Sequence, residues 1–116
     1  MKKKKTLCFD LDGVICKTKK KNYFKAKPIK KNIGKINELF NRGYKIIIFT
    51  ARFMGRSNEN KNLAKKKGYS KTLKHLYIWK IKFHKLYVGK PSYDLFIDDR
   101  NLYFKKSWPK DIEKKL

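Results

Sequence analysis

The sequence predicts an α/β protein, a Rossmann-like three-layer sandwich in which a central, mainly parallel sheet carries helices on its faces. Two observations support this prediction. Residues 6–10 and 44–49 are nearly continuous apolar runs, which are typical of strands buried on both faces. Between them, residues 29–40 place apolar side chains at helical spacing. A strand, a helix and a strand in this order form a right-handed unit with parallel strands.

The first half of the chain has clear boundaries. Pro28 and Asn32 can open the first helix, Gly43 can end it, and the second strand ends at Thr50. Residues 13–28 are rich in lysine and lack a helical period, so we predict a loop or small flap over the end of the first strand. A mobile basic connector is the alternative.

The second half predicts further helices and strands. Ser57 and Asn60 suggest a capped second helix that stops at Gly68, and residues 70–81 form a third helix. The remaining predicted elements are strands at residues 86–88 and 93–97, an edge strand in the tail and a short closing helix.

Length and composition favour one domain over residues 1–116. A chain of 116 residues can bury one core, and no repeat or low-complexity linker divides it. The formal charge of +24 is compatible with nucleic-acid binding, but only four of the 33 basic residues are arginine. Because base readout and bidentate phosphate contacts favour arginine, a generally basic, solvated surface is the favoured interpretation.

The sequence also favours a cytoplasmic protein with no membrane association. Residues 2–5 are a basic lead-in, but Asp10 cuts short the apolar run that a secretory signal would need. No run approaches the length of a membrane span. Cys8 and Cys16 are the only cysteines, and their spacing matches neither a disulfide framework nor a zinc site.

Polar residues gather at the predicted carboxyl ends of the strands, where parallel α/β sheets bind ligands. Asp10 and Asp12 leave the same face of the first strand and would repel each other unless a cation or a proton lies between them. The alternative for this pair alone is an ordinary acidic turn. Four of the nine acidic residues fall at two strand ends, together with a hydroxyl and an ammonium group: Asp10, Asp12, Thr50, Lys90, Asp98 and Asp99. The set predicts Mg²⁺-assisted phosphoryl chemistry.

These residues resemble, in order and in strand context, the four motifs of the haloacid dehalogenase superfamily of phosphohydrolases. The motifs are Asp10-Leu11-Asp12-Gly13-Val14, Thr50, Lys90 and Ile97-Asp98-Asp99. The resemblance implies that Asp10 is the nucleophile and becomes a phosphoaspartate. It also implies that Asp12 protonates the leaving oxygen and then activates water.

The same resemblance implies the roles of the other site residues. Thr50 would hydrogen-bond the transferring phosphoryl group, and Lys90 would neutralise its charge. Mg²⁺ would be held by Asp10, by the main-chain carbonyl of Asp12 and by Asp98, with Asp99 as a water-mediated ligand or orienting partner.

The chain departs from many members of the superfamily in two ways. Val14 stands where many have Thr, and there is no room for an inserted cap domain. With Thr50-Ala51-Arg52 and the run from Gly89 to Asp99, it resembles small capless members associated with bacterial capsule or surface-polysaccharide synthesis. An open site suits a large substrate or one enclosed by a partner subunit; the oligomeric state is left open.

The favoured function is therefore a phosphatase acting on a small phosphorylated metabolite such as a phosphosugar. The alternatives are a nucleotide or nucleic-acid 3′-end phosphatase and, in another class, a non-catalytic basic binding module. Arg52, two residues after Thr50, can reach a second anionic or hydroxyl group of the substrate, with a surface salt bridge as the alternative. Arg56 is a weaker candidate for the same role, and His75 is interpreted as structural.

Overall fold

The structure, a computed structural model, describes residues 4–116, so residues 2 and 3 of the basic lead-in lie outside the described part. The elements in chain order are β1 (Thr6–Asp10), β2 (Cys16–Lys17), β3 (Lys27–Pro28), α1 (Lys30–Asn41), β4 (Lys45–Thr50), α2 (Lys61–Ile78), β5 (Lys85–Val88) and α3 (Trp108–Glu113). Short 3-10 turns lie at Tyr23–Lys25 and Gly55–Ser57.

The main sheet has three strands in the order β1-β4-β5, and both neighbouring pairs are parallel. This confirms the predicted strand–helix–strand unit, and the layout is consistent with a Rossmann-like α/β fold. Strands β2 and β3 form a separate antiparallel ribbon of two strands. Residues 13–28, predicted as a loop or small flap, therefore contain a short paired segment. No helix in residues 4–116 is long and apolar enough to cross a membrane.

The helices share one face of the sheet. Strand residues that point to this face are buried with apolar residues of α1, α2 and α3, and the cluster includes Phe9, Ile46, Ile48, Leu86, Ile36, Leu39, Leu76, Trp108 and Ile112. Side chains on the opposite face line an open groove of about 340 Å³, among them Cys8, Ile47, Phe49 and Tyr87. Tyr87 is 44% exposed. The described chain therefore has two layers, and the third layer of the predicted sandwich is not formed.

The predicted second and third helices are one continuous helix, α2. Gly68 does not end a helix; it is buried against the ring of Phe53, where an added Cβ would lie 2.1 Å from Cδ2. The residue therefore serves close packing, which the sequence pattern could not distinguish from a helix stop. Asn60 caps α2 by accepting a hydrogen bond from the Leu63 N–H at 3.0 Å, as its position suggested.

Residues 93–97 do not form the predicted fourth strand. Leu95 and Ile97 are 78% and 87% exposed, while Tyr93 and Phe96 stack on each other with 5.1 Å between their ring centroids. The chain enters this segment at Ser92, whose N–H and hydroxyl donate to the Glu59 carboxylate just before α2. The segment is thereby anchored beside α2 rather than paired with a strand. The edge strand predicted in the tail is also absent from the described residues, whereas the short closing helix is confirmed as α3.

Candidate active site

A cleft of about 250 Å³ opens where the three parallel strands end. Asp10 is the last residue of β1, Ala51 follows β4, and Ser92 follows the turn after β5. The lining residues are Asp10, Asp12, Thr18, Lys21, Tyr23, Ala51, Arg52, Gly55 and Ser92. Main-chain bonds tie two of the strand ends together, because the N–H groups of Gly89 and Lys90 both donate to the Thr50 carbonyl. The cleft therefore collects groups from all three strand ends.

Asp10 and Lys90 form an ion pair beside the cleft. The Lys90 Nζ lies 3.2 Å from Asp10 Oδ2, and Asp10 Oδ1 accepts from the Leu11 N–H at 2.8 Å. Burial acts to lower the pKa of Lys90, but a hydrogen bond with Tyr93 and the Asp10 charge outweigh it, so the pKa is raised. Lys90 is thus a fixed positive charge next to a carboxylate that is 38% exposed.

Asp12 is positioned by a tight turn that follows β1. The Leu11 carbonyl accepts from the N–H groups of three residues after it, and the Gly13 N–H donates to the Cys16 carbonyl at 2.7 Å. Gly13 has φ of +94°, a backbone conformation that side chains disfavour. The glycine of the acidic motif is therefore required by the turn that presents Asp12.

Arg52 binds the Asp12 carboxylate through two of its nitrogens. Nε lies 2.9 Å from Oδ2 and Nη2 lies 3.0 Å from Oδ1, while the Arg52 side chain is only 1% exposed. Burial acts to raise the pKa of Asp12, but hydrogen bonds from Arg52 and Thr18 more than offset it, so the pKa is lowered. A surface salt bridge was the alternative role expected for Arg52. The structure does contain a salt bridge at Arg52, but the arginine side chain is buried.

His75 lies behind Arg52 on α2. Arg52 Nη1 is 3.1 Å from His75 Nδ1, and because arginine can only donate, Nδ1 is the acceptor and the ring proton is on Nε2. Burial, together with the Arg52 charge, lowers the pKa of His75. The ring also packs on Trp79 at 5.0 Å between centroids. No spacing signal in the sequence links a residue of α2 to Asp12, so this contact was missed.

Thr50 is close to the cleft but buried. Its side chain is 1% exposed, and its hydroxyl oxygen accepts from the Arg52 N–H at 3.0 Å. The hydroxyl proton remains available to donate. Thr50 therefore fixes the backbone of the residue that holds Asp12.

Asp98 and Asp99 do not join the other carboxylates. Both are exposed, and Asp98 Oδ1 accepts from the Arg100 N–H at 3.0 Å. That bond, with a further one from Asp99, lowers the pKa of Asp98. Within residues 4–116 no three His, Cys, Asp or Glu side chains lie close enough together to hold a metal ion. The predicted set of four metal-binding aspartates is thus divided between two places.

A divalent cation prefers hard oxygen ligands, and Asp10 and Asp12 supply that chemistry. In the structure, however, Lys90 and Arg52 already neutralise these two carboxylates. As they lie, the residues do not complete a site for Mg²⁺.

Comparison with known proteins shows the fold alone. No family model matches the sequence, and no curated protein matches it at a significant level. A crystal structure of a structural-genomics target from Vibrio cholerae superposes with a TM-score of 0.80 at 23% identity, covering 96% of this chain and 98% of that one. The chain is therefore similar in fold to that protein over nearly the whole length of both.

Proposed function

We propose that this protein is a phosphatase that hydrolyses a phosphomonoester through a phosphoaspartate at Asp10. The observation that supports it best is the Asp10 carboxylate at the end of β1, partly exposed, with the Lys90 ammonium 3.2 Å away and Asp12 two residues on. A carboxylate needs a neighbouring positive charge before it can approach an anionic phosphate. Lys90 supplies this charge.

The proposed reaction has two displacements. In the first, an Asp10 oxygen bonds to phosphorus while the bond from phosphorus to the substrate oxygen breaks, and that oxygen leaves as an anion that takes a proton from water. In the second, water bonds to phosphorus, gives a proton to Asp12, and the bond between phosphorus and Asp10 breaks to release inorganic phosphate. Lys90 stabilises the charge on the phosphoryl oxygens in both displacements, and the Thr50 hydroxyl donates to one of them.

Asp12 is suited to the second displacement as it stands. Arg52 and Thr18 hold its carboxylate ionised, which is the form that accepts a proton from water. Donation of a proton to the leaving oxygen in the first displacement requires Asp12 to be protonated, which the same contacts disfavour. We therefore assign Arg52 to positioning Asp12, in place of the substrate contact expected from its sequence position.

Membership of the haloacid dehalogenase superfamily, as a small capless protein of the cytoplasm, belongs to the same proposal. It is supported by the order of the four motifs along the chain and by the position of the first three at or just after β1, β4 and β5. Magnesium is the proposed cofactor; Asp10, the Asp12 carbonyl and Asp98, with Asp99 beside them, would hold it if residues 93–97 moved to bring Asp98 to Asp10. Its charge would add to that of Lys90.

The proposed substrate is a small phosphorylated metabolite such as a phosphosugar. A nucleotide or a phosphorylated nucleic-acid 3′ end is the second candidate, favoured by the open cleft and the formal charge of +24. Salt dependence separates the two, because binding to a nucleic-acid backbone weakens steeply as salt rises.

Phosphate release from p-nitrophenyl phosphate tests the proposed function. Asp10→Asn should lower kcat by about a thousandfold or more, because it removes the nucleophile and keeps the shape. Asp111→Asn on α3 makes the same change of charge outside the cleft and should leave the rate unchanged. Full activity in Asp10→Asn would exclude the phosphoaspartate at Asp10, whereas no phosphate release by the wild-type protein would favour the non-catalytic binding module.

The metal requirement is tested separately. Titration of Mg²⁺ into the wild-type protein and into Asp98→Asn should show binding that the substitution weakens, and excess chelator should abolish phosphate release. Unchanged turnover in chelator would remove magnesium from the proposal while leaving Asp10 in place.

A further inference from the structure

The rim of the cleft carries positive charge that the reaction described above does not use. Lys21 lines the cleft, and its Nζ lies 2.7 Å from the position that a Cβ on Gly55 would occupy. The Arg56 guanidinium donates a hydrogen bond to the Lys21 carbonyl. Two loops, residues 18–22 and the turn Gly55–Ser57, therefore meet at the cleft, with Lys21 and Gly55 in its lining and the Arg56 guanidinium against the Lys21 main chain.

Aromatic rings hold the Arg56 guanidinium in place. It stacks 5.0 Å from the centroid of Tyr23 and 5.2 Å from that of Phe53, and the two rings are 5.0 Å apart. Stacking fixes the plane of a guanidinium group while its edge N–H groups remain free to donate. Arg56 is thus presented in a fixed orientation even though it is exposed.

These two cations differ from the two inside the cleft. Arg52 and Lys90 are each paired with an aspartate. In the part of the chain that the structure describes, the ion pairs involve Lys35, Arg42, Arg52 and Lys90, and neither Lys21 nor Arg56 takes part in one.

The backbone of the rim loops is strained. Lys20 and Lys21 in the first loop, and Phe53 just before the turn Gly55–Ser57, have φ of 47°, 58° and 68°, in the left-handed region that residues with a side chain seldom adopt. Such strain persists where the surrounding structure requires it, and it concentrates at ligand sites. Here it occurs in the loops that bring Lys21 and Arg56 together.

We propose that Lys21 and Arg56 form a subsite for a second phosphate group of the substrate, while Asp10 and Lys90 act on the first. This inference rests on the proposed function and names its substrate class, a bisphosphorylated small molecule. A guanidinium edge and an ammonium group together match the charge and the several acceptor oxygens of a phosphate dianion. A sugar bisphosphate and a nucleoside bisphosphate both supply this chemistry.

The test compares matched substrates. The pairs are fructose 1,6-bisphosphate with fructose 6-phosphate, and adenosine 3′,5′-bisphosphate with adenosine 3′-monophosphate. In at least one pair, the bisphosphate should have a kcat/KM at least about tenfold higher, as expected for one lost or gained charged contact. The pair that shows the preference identifies the source of the second phosphate, and a ratio near one in both pairs overturns the proposal.

Variants distinguish binding at the proposed subsite from general electrostatic attraction of the substrate to a basic protein. Lys21→Gln and Arg56→Ala should each raise KM for the preferred bisphosphate about tenfold and bring the kcat/KM ratio of bisphosphate to monophosphate towards one. Lys31→Ala, an exposed lysine on α1, removes the same charge elsewhere and should change neither value. An equal loss in Lys31→Ala would show that the preference comes from overall charge and would overturn the proposal.

A binding measurement tests the subsite without requiring the protein to hydrolyse the substrate. In Asp10→Asn, which should not consume substrate, calorimetric titration should show tighter binding of the bisphosphate than of its monophosphate. Arg56→Ala in the same background should remove that difference. If the wild-type protein hydrolyses no phosphomonoester, the proposed function fails, while this titration still decides the subsite.

Discussion

The ion pair between Arg52 and Asp12 leads to the sharpest stability prediction. Arg52→Ala leaves the Asp12 carboxylate, whose side chain is 26% exposed, without its main partner. Removing one member of a buried ion pair costs roughly 3–5 kcal/mol, and the partial exposure of Asp12 places the expected loss near 3 kcal/mol at pH 7. Urea denaturation followed by tryptophan fluorescence measures the free energy of unfolding.

The loss should depend on pH in a defined direction. A carboxyl group whose pKa is lowered on folding contributes stability that is fully present above its unfolded pKa, about 3.9, and that is lost as the pH falls through the folded pKa. In Arg52→Ala the burial of Asp12 remains while its main hydrogen-bond donor is gone, so its pKa should rise. The difference in unfolding free energy between wild type and variant should therefore be large at pH 7 and shrink towards pH 3.

A matched control is Arg42→Ala, which removes an arginine from an exposed ion pair with Glu113. Its effect should be much smaller at pH 7, because solvent screens exposed pairs. Equal losses in Arg52→Ala and Arg42→Ala, or a loss in Arg52→Ala that does not change with pH, would refute the reasoning that Asp12 is held ionised by a buried partner.

Two further predictions concern the reaction and the packing of α2. Because Asp12 is held ionised, aryl phosphates, whose leaving groups need little protonation, should be hydrolysed with kcat/KM about a hundredfold or more above alkyl phosphates; equal values would show that Asp12 donates a proton efficiently. Gly68→Ala should destabilise the protein by about 2 kcal/mol in urea denaturation, since its Cβ would overlap the Phe53 ring. Gly34→Ala on α1, where a Cβ meets nothing within 4 Å, should instead stabilise it by about 0.5–1 kcal/mol; similar effects at both glycines would contradict the packing role of Gly68.

Local periodicity was enough to predict most of the elements that build the cleft. The apolar runs at β1 and β4 and the helical spacing of α1 each depend on a face that is buried locally, and they are where the sequence places them. The positions of Asp10 and Thr50 could be predicted from these strands, because each is the last residue of its strand. Contacts between distant parts of the chain could not be predicted in this way. His75 contacts Arg52 because of how α2 packs, and no spacing in the sequence encodes that packing.

The missing fourth strand and the divided aspartates have one physical cause. Asp98 would reach the end of the sheet beside Asp10 only if residues 93–97 ran as a further strand of that sheet. In the structure Ser92 is held by Glu59, the segment leaves the sheet, and Lys90 takes the place next to Asp10 that a metal ion would share. The prediction of a strand and the prediction of a four-aspartate metal site therefore depend on each other. Measuring Mg²⁺ binding in Asp98→Asn therefore tests both a metal ligand and the position of residues 93–97. Binding that depends on Asp98 requires these residues to bring its carboxylate to Asp10.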